Sequence, residues 1–497
     1  MILKEGSETY ENWKRVPVPL YNRFYFFNVV NPIEVERIGA KPKLAEIGPF
    51  TYRVILQKYD INHYSNGTVS YRERRTWNFV RNMSVADETT EISTLNTPLA
   101  MSLSWLRSAN PAVQLVARVG LETTTQGFFI QRSVKELLFD GYPDILTTLG
   151  MLLRPEVPSV YRGRFGYFYP KNNTDDGLYR VSTGESNISQ LNLIESHNGA
   201  SHLKYWTSAE CNDLRGSTKS ETRSPLQTDT SQLHMFNSEI CRVLRLTYQR
   251  AHREVYGIMA KRFLLDPNTY KNSHDYPPNA CYHVKRPNNS PIILSFRSSL
   301  FESDPLPSGV MDLGPCKYGA PIYLSNPHFL DADPVYLNSV SGLKPDRENH
   351  SFWLDVEPTT GSTIQVAARI QLNVATNVGQ TSLRFRRIPE IIWPVMWSEY
   401  RSQLTPKLGE KLQFVQWLPA AVAENVFYLF FSLGLITLFM AVYMHCKRIL
   451  TTKRNSPAEP SSPTIATISS CDSTPTHAAP IAMLPVTPSP LPPLFKR

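Results

Sequence analysis

Reactive residue types are scattered along this chain rather than gathered. His197, His234, His328, Asp312 and Glu357 are the candidates for acid–base work, but no spacing sets a nucleophile beside a base. No GxSxG elbow, HExxH helix, phosphate loop or GxGxxG fingerprint occurs. The chain is therefore read as a non-enzyme without a cofactor. Its 6 cysteines, at positions 211, 241, 281, 316, 446 and 471, include no CxxC pair, which argues against zinc, dithiol chemistry or any other metal centre. Four of them precede one long apolar segment and two follow it, so the two groups are expected to face different redox compartments. For the first four, three disulfide connectivities are open. Six Asn-x-Ser/Thr triplets, at Asn66, Asn82, Asn172, Asn187, Asn288 and Asn349, all lie before the same segment. The chemistry that this pattern supports is oxidation and N-glycosylation outside the cytosol.

The apolar segment that divides the chain runs VFYLFFSLGLITLFMAVYM from Val426 to Met444, about 28 Å of helix, close to the thickness of a bilayer core. Lys447 and Arg448 follow at once and place the C-terminus in the cytoplasm. The expected organisation is an extracellular domain over 1–419, a transmembrane helix over 420–445 and a cytoplasmic tail over 446–497. Residues 456–495 are rich in Pro, Ser and Thr, and are expected to be disordered, with PxxP spacings that could offer ligands to cytoplasmic adaptors. No acidic dileucine signal occurs in the tail, which favours the plasma membrane over lysosomes or endosomes. Cys446 stands at the cytoplasmic border, where S-palmitoylation is expected. A C-terminal span cannot translocate what precedes it, and Met1 opens into Ile2, Leu3, Lys4 and Glu5, so a further N-terminal anchor is expected in the complete protein. The net charge of +9 is spread out, with no nucleic-acid motif to use it.

Upstream of the span, the clearest period-two pattern sets Ile364, Val366, Ala368, Ile370, Leu372 and Val374 on one face and Gln365, Arg369, Gln371 and Asn373 on the other. This predicts a half-buried strand. Phe24–Val29 and Tyr52–Tyr59 also predict strands, with turns at Asn66-Gly67 and Pro307-Ser308-Gly309. Ser133 to Glu136 spell a capping box ahead of Leu137 and Leu138, with Gly141 as the stop. Residues 112–121 and 237–250 are likewise expected to be helical. The reading is α+β, a large antiparallel sheet with a helical insertion over about 95–155.

A series of short motifs then carries a resemblance. It begins with Glu5-Gly6-Ser7, Asn12-Trp13, Phe24-Tyr25-Phe26-Phe27-Asn28-Val29 and Gly48-Pro49-Phe50. It continues through Gly166-Tyr167-Phe168-Tyr169, Gly309-Val310-Met311-Asp312-Leu313, Pro327-His328-Phe329-Leu330 and Asp355-Val356-Glu357-Pro358. In this order they closely resemble the class B scavenger receptors, a family with plasma-membrane and lysosomal branches. The resemblance implies a β-barrel ectodomain with an apical helical bundle, an apolar tunnel, and a span at each end. It implies partners among lipids, fatty acids, lipoproteins and apoptotic or microbial particles, bound at the apex and passed to the membrane, or in the lysosomal branch a sorted lumenal protein. Arg118, Phe128, Phe129, Arg132 and Lys135 are the candidate apical contacts. It pairs Cys211 with Cys281 and Cys241 with Cys316. Two departures stand out: His283 occupies the place where many members begin a third bridge, ahead of an inserted run at Pro287–Leu306, and Leu121-Glu122-Thr123-Thr124-Thr125 lacks the apical lysines of the fatty acid branch.

Overall fold

The computed structural model describes residues 2–106, 113–114, 127–148, 163–219, 221–226, 230–283, 305–376, 382 and 384–454. Contacts divide the chain into two compact units, Met1–Ala420 and Ala421–Arg497. The expected helix at 112–121 lies almost wholly outside the described residues. Arg118, Asn288, Cys471, residues 287–304 of the inserted run and the tail beyond 454 lie wholly outside them.

Alternating aromatic and β-branched residues make strands the main element of the first unit. In order these are β1 (Leu20–Val29), β2 (Leu44–Tyr64), β3 (Thr68–Phe79), β4 (Glu91–Leu95), β5 (Phe129–Ser133), β6 (Tyr142–Pro143), β7 (Arg164–Phe165), β8 (Thr174–Ser182) and β9 (Ile194–His197). They continue with β10 (Gln232–Asn237), β11 (Arg242–Val255), β12 (Ile258–Leu265), β13 (Met311–Asp312), β14 (Ile322–Ser325), β15 (Trp353–Val356), β16 (Thr363–Ala375) and β17 (Ile392–Gln403). Thirteen form one sheet, ordered β10-β11-β12-β15-β16-β17-β1-β2-β3-β8-β9, with β14 pairing both β13 and β16. Each of these pairings is antiparallel. The β2–β3 turn uses Asn66-Gly67, where Gly67 takes φ 72° at no steric cost. Residues 217–218 touch both end strands: Ile194 of β9 donates to the Ser217 carbonyl (2.8 Å), Thr218 donates to His234 of β10 (3.1 Å), and Phe236 donates back to Thr218 (2.9 Å).

The pattern on β16 behaves unexpectedly. Over its central stretch the polar residues are the ones packed against protein, with Arg369 6 % exposed and Gln371 and Asn373 fully buried, whereas Val366, Ala368, Ile370 and Leu372 are only half-buried; toward the ends Ile364 and Val374 are buried and Gln365 is half-buried. The polar face survives burial because each group has a partner. Gln371 accepts from the His328 backbone (2.6 Å) and donates to Asn373 (2.8 Å), which donates in turn to Ser325 (3.0 Å). Arg369 donates to Glu399 of β17 (3.0 Å) and to the carbonyls of Glu348 (2.9 Å) and Ser351 (3.0 Å), and Arg23 of β1 reaches the same Glu399 at 3.2 Å. Short helices at Pro334–Ser339 and Arg347–His350 belong to this covering layer.

Two expectations are corrected. Residues 237–250 are not helical: they turn from β10 into β11, because Arg242, Leu244 and Leu246 alternate inward while Val243, Arg245 and Thr247 alternate outward, a period of two that outweighs local helix propensity. Within 95–155 the helix Thr97–Leu106 is present, but Phe129–Ser133 is strand β5, zipped to β4 from Leu95↔Phe129 to Glu91↔Ser133. Half of the capping box is present, with the Glu136 carboxylate accepting from the Ser133 N–H (3.0 Å) and hydroxyl (2.6 Å) ahead of a π-helical turn that Gly141 ends at φ 65°.

In the second unit the described residues are helical. The helix starts at Pro406 and reaches Arg454, and its stretch Val422–Thr451 contains an 18-residue window of mean hydropathy 2.1 in which no residue is buried by protein. It is long and apolar enough to cross a membrane, and it carries the exposed thiol of Cys446.

Glu399→Gln leaves Arg369 charged and buried. Unfolding in denaturant should show a loss of about 3 kcal/mol; a loss under about 0.5 kcal/mol, the range of a surface pair, would remove this network from the account.

Candidate functional site

A strand places alternate side chains on opposite faces, so a sheet whose outer face is consumed by a polar network must offer its other face to something else. Here it offers that face to a cavity of about 960 Å³, near the top of the roughly 300–1,000 Å³ range of ligand pockets. Ile364, Val366, Ala368, Ile370 and Leu372 of β16 form one wall. Leu20 of β1, Leu56 of β2, Trp77 of β3, Met235 of β10 and Met396 of β17 complete the apolar lining, and Leu408, Leu412 and Phe414 line it a few residues before the apolar helix stretch begins at Val422.

One side of the cavity is charged. Lys219, Asp176 and Tyr179 line it, with Asp176 3.9 Å from Lys219 and accepting from Tyr179 (2.7 Å), while behind the lining Glu73 holds Lys219 at 2.8 Å and Lys58 at 2.9 Å. Glu239 pairs with both Lys171 and Lys317. Burial works against the charge on these carboxylates, but the lysines outweigh it and hold all three low, Glu239 at about 2. Glu221 differs: burial dominates and its pKa is raised. Lys58 lies 5.2 Å from the Trp13 ring and Lys219 4.0 Å from that of Tyr179, cation–π contacts that help to hold these ammonium groups away from water.

The dispersed acid–base candidates are not brought together. His328 belongs to the covering layer, where its Nε2 sits 2.6 Å from Glu46, its ring stacks on His350 at 4.3 Å, and its Nδ1 accepts from the Lys344 N–H (3.0 Å). Glu46 also accepts from the Trp397 indole (2.7 Å). His197 bonds the Asp176 carbonyl (2.9 Å), while Asp312 and Glu357 accept backbone N–H groups in turns. His234, on β10, has its pKa lowered by burial and by Arg245. Among the described residues no group of three or more His, Cys, Asp or Glu could hold a metal ion.

Of the apical candidates, Phe128 is fully buried, its ring 5.5 Å from Phe385 and 5.7 Å from Phe129. Phe129 is half-buried on β5 with its ring 5.3 Å from Trp393. Arg132 lies over Tyr142 at 5.1 Å, and Lys135 is half-exposed beside it in sequence. Bridges join Cys211 to Cys281 and Cys241 to Cys316. Asn66, Asn82, Asn172, Asn187 and Asn349 are all exposed.

Burial, then the neighbouring His328, push His350 down to about 4. The folded state therefore favours neutral His350, and the stability it contributes is complete above about pH 6.5 and lost as pH falls toward 4. Thermal unfolding followed from pH 7 to 4.5 should show His350→Gln losing less stability than the parent protein; equal losses would take His350 out of the acid response.

The CD36 family model matches residues 1–445. Scavenger receptor class B member 1 of Rattus norvegicus is 34% identical over 406 residues, covering 81% of this chain and 74% of the relative. Lysosome membrane protein 2 of Homo sapiens is 30% identical over 449 residues, covering 90% of this chain and 88% of the relative.

Proposed function

This chain belongs to the CD36 family, and on that premise we propose that it is a membrane scavenger receptor that takes up lipid or lipid-bearing particles and passes lipid through its interior to the bilayer. One observation carries the reading: the apolar face of β16 is turned to a void while the polar face is packed. An apolar face left half-buried forfeits hydrophobic stabilisation unless something apolar occupies the space. Lipid does so. Moving an acyl chain through water costs about 0.8 kcal/mol per methylene, or about 12 kcal/mol for fifteen, and a walled apolar route removes most of that barrier.

The sheet supports a barrel-like wrapping around this route, since residues 217–218 hydrogen bond to both of its end strands. Five exposed sequons and two bridged cysteine pairs suit an extracellular or lumenal face for residues 1–419, with 420–445 as the membrane helix and 446–497 in the cytoplasm. Arg132 and Lys135 are the described apical residues available for contact with a particle; Phe128 would act there only as core support. The plasma membrane is the proposed site of residence. Cys446, exposed and at the end of the apolar stretch, remains the proposed palmitoylation site, and the tail beyond it the proposed contact for adaptors.

Ala368→Trp places a large ring on the cavity wall. In vesicles carrying the reconstituted full-length protein, transfer of a fluorescent fatty acid should run faster than in protein-free vesicles, and the variant should return it to the protein-free rate. Transfer by the parent protein no faster than in protein-free vesicles, or a variant as fast as the parent, would contradict the conduit. Imaging of a tagged chain should show it at the cell surface; steady residence with lysosomal markers would move it to the other branch.

A further inference from the structure

The charged side of the cavity is not balanced. Arg75, Lys171, Lys219 and Lys317 line it against Asp176, Glu221 and Glu239, while Glu73 sits behind the lining, bonded to Lys219 and to the equally buried Lys58. Three of the carboxylates are committed: Glu73 to Lys58 and Lys219, Asp176 to Lys219, Tyr179 and Ser238, Glu239 to Lys171 and Lys317. The fourth, Glu221, is favoured in its neutral form by burial and has a buried oxygen without a partner.

Arg75 is left over. It projects from β3 into the cavity, its guanidinium lies 5.6 Å from the centroid of the Trp77 ring, and among the described residues its buried Nε has no hydrogen-bond partner and no carboxylate pairs with it. Burial alone would disfavour its charge, but Tyr400, Asp176, Glu73 and Glu239 nearby hold its pKa above the ordinary value, so it stays cationic. The Tyr400 hydroxyl, on the β17 part of the lining, makes no hydrogen bond to protein among the described residues and stands as a second donor. A cation with unused donors inside an apolar enclosure is expensive unless an anion completes it.

We propose that Arg75, assisted by Tyr400, is a station inside the cavity for the anionic head, carboxylate or phosphate monoester, of an amphiphile whose hydrocarbon lies along Val366, Ala368 and Ile370. This rests on the reading that the cavity holds lipid and adds a selection: acidic amphiphiles are retained over neutral ones of equal chain length. Trp77, packed near the guanidinium, marks where the polar station meets the apolar wall.

Native mass spectrometry of the full-length protein released from nanodiscs tests it, with palmitate, hexadecyl phosphate and hexadecanol as probes and inorganic phosphate as competitor. Ligand that Ala368→Trp displaces counts as cavity-bound. The parent protein should bind palmitate and hexadecyl phosphate at least about tenfold more tightly than hexadecanol, as one charge-assisted contact provides. Millimolar phosphate should not compete. Arg75→Met should abolish the preference while leaving hexadecanol binding in place, which also reports an intact cavity, and Arg75→Lys should keep most of it. Equal binding of the three probes by the parent, competition by free phosphate, or a preference that survives Arg75→Met would each overturn the station. Parent protein with no displaceable amphiphile of any kind would overturn the lipid cavity itself. Because the comparison of probes needs only the parent, a variant that failed to fold would not rescue the proposal from that result.

Discussion

An antiparallel strand has two faces, and packing one against protein fixes what the other must meet. On β16 the packed face is the polar one, and this inversion governs the architecture around it. Gln371, Asn373 and Arg369 are tied to His328, Ser325, Glu348, Ser351 and Glu399, so the strand is anchored from outside by hydrogen bonds and an ion pair rather than from inside by a solid core. With its anchorage on the outer side, the inner side can stay unfilled. An ordinary core would collapse onto such a face to recover contact energy. A sheet braced externally does not have to.

Electrostatics divides the same interior into two regions. Along β16 the lining is aliphatic; near β3 and β8 it holds lysines and carboxylates paired at 2.8–3.9 Å and held beside the aromatic rings of Trp13, Tyr71 and Tyr179. Buried ion pairs are poor sources of stability compared with apolar packing of equal volume. Their presence on a cavity wall is better understood as a fixed arrangement of charge for whatever enters.

Much of the fold can be read from the sequence, and the reasons for the gaps are physical. The six-residue alternation of β16 announces a strand, the capping box at Ser133 announces its helix, and Gly67 its turn. The alternation also contains the cavity wall, yet pattern alone cannot say whether an apolar face meets a core or a void. The charged side was invisible for a different reason: Glu73, Lys219, Glu239 and Tyr400 are far apart in sequence, belong to separate parts of the sheet, and individually look like solvated surface residues. Residues 237–250 suit a helix by local propensity, and the period-two alternation around Leu244 and Leu246 prevails over it where β11 pairs with β10 and β12. The disulfide pairing came from family resemblance, since spacing leaves three options open.

The most direct measurement is to reconstitute the full-length protein in vesicles, load a diazirine-bearing phospholipid or fatty acid, irradiate, and map the labelled peptides. Labels on the inward residues of β16 and on Leu56 and Met396, which also line the cavity, in addition to the membrane helix, are what a lipid-filled interior requires. Labels confined to Val422–Thr451 and the outer surface would show that the half-buried face of β16 never meets lipid, and would contradict it.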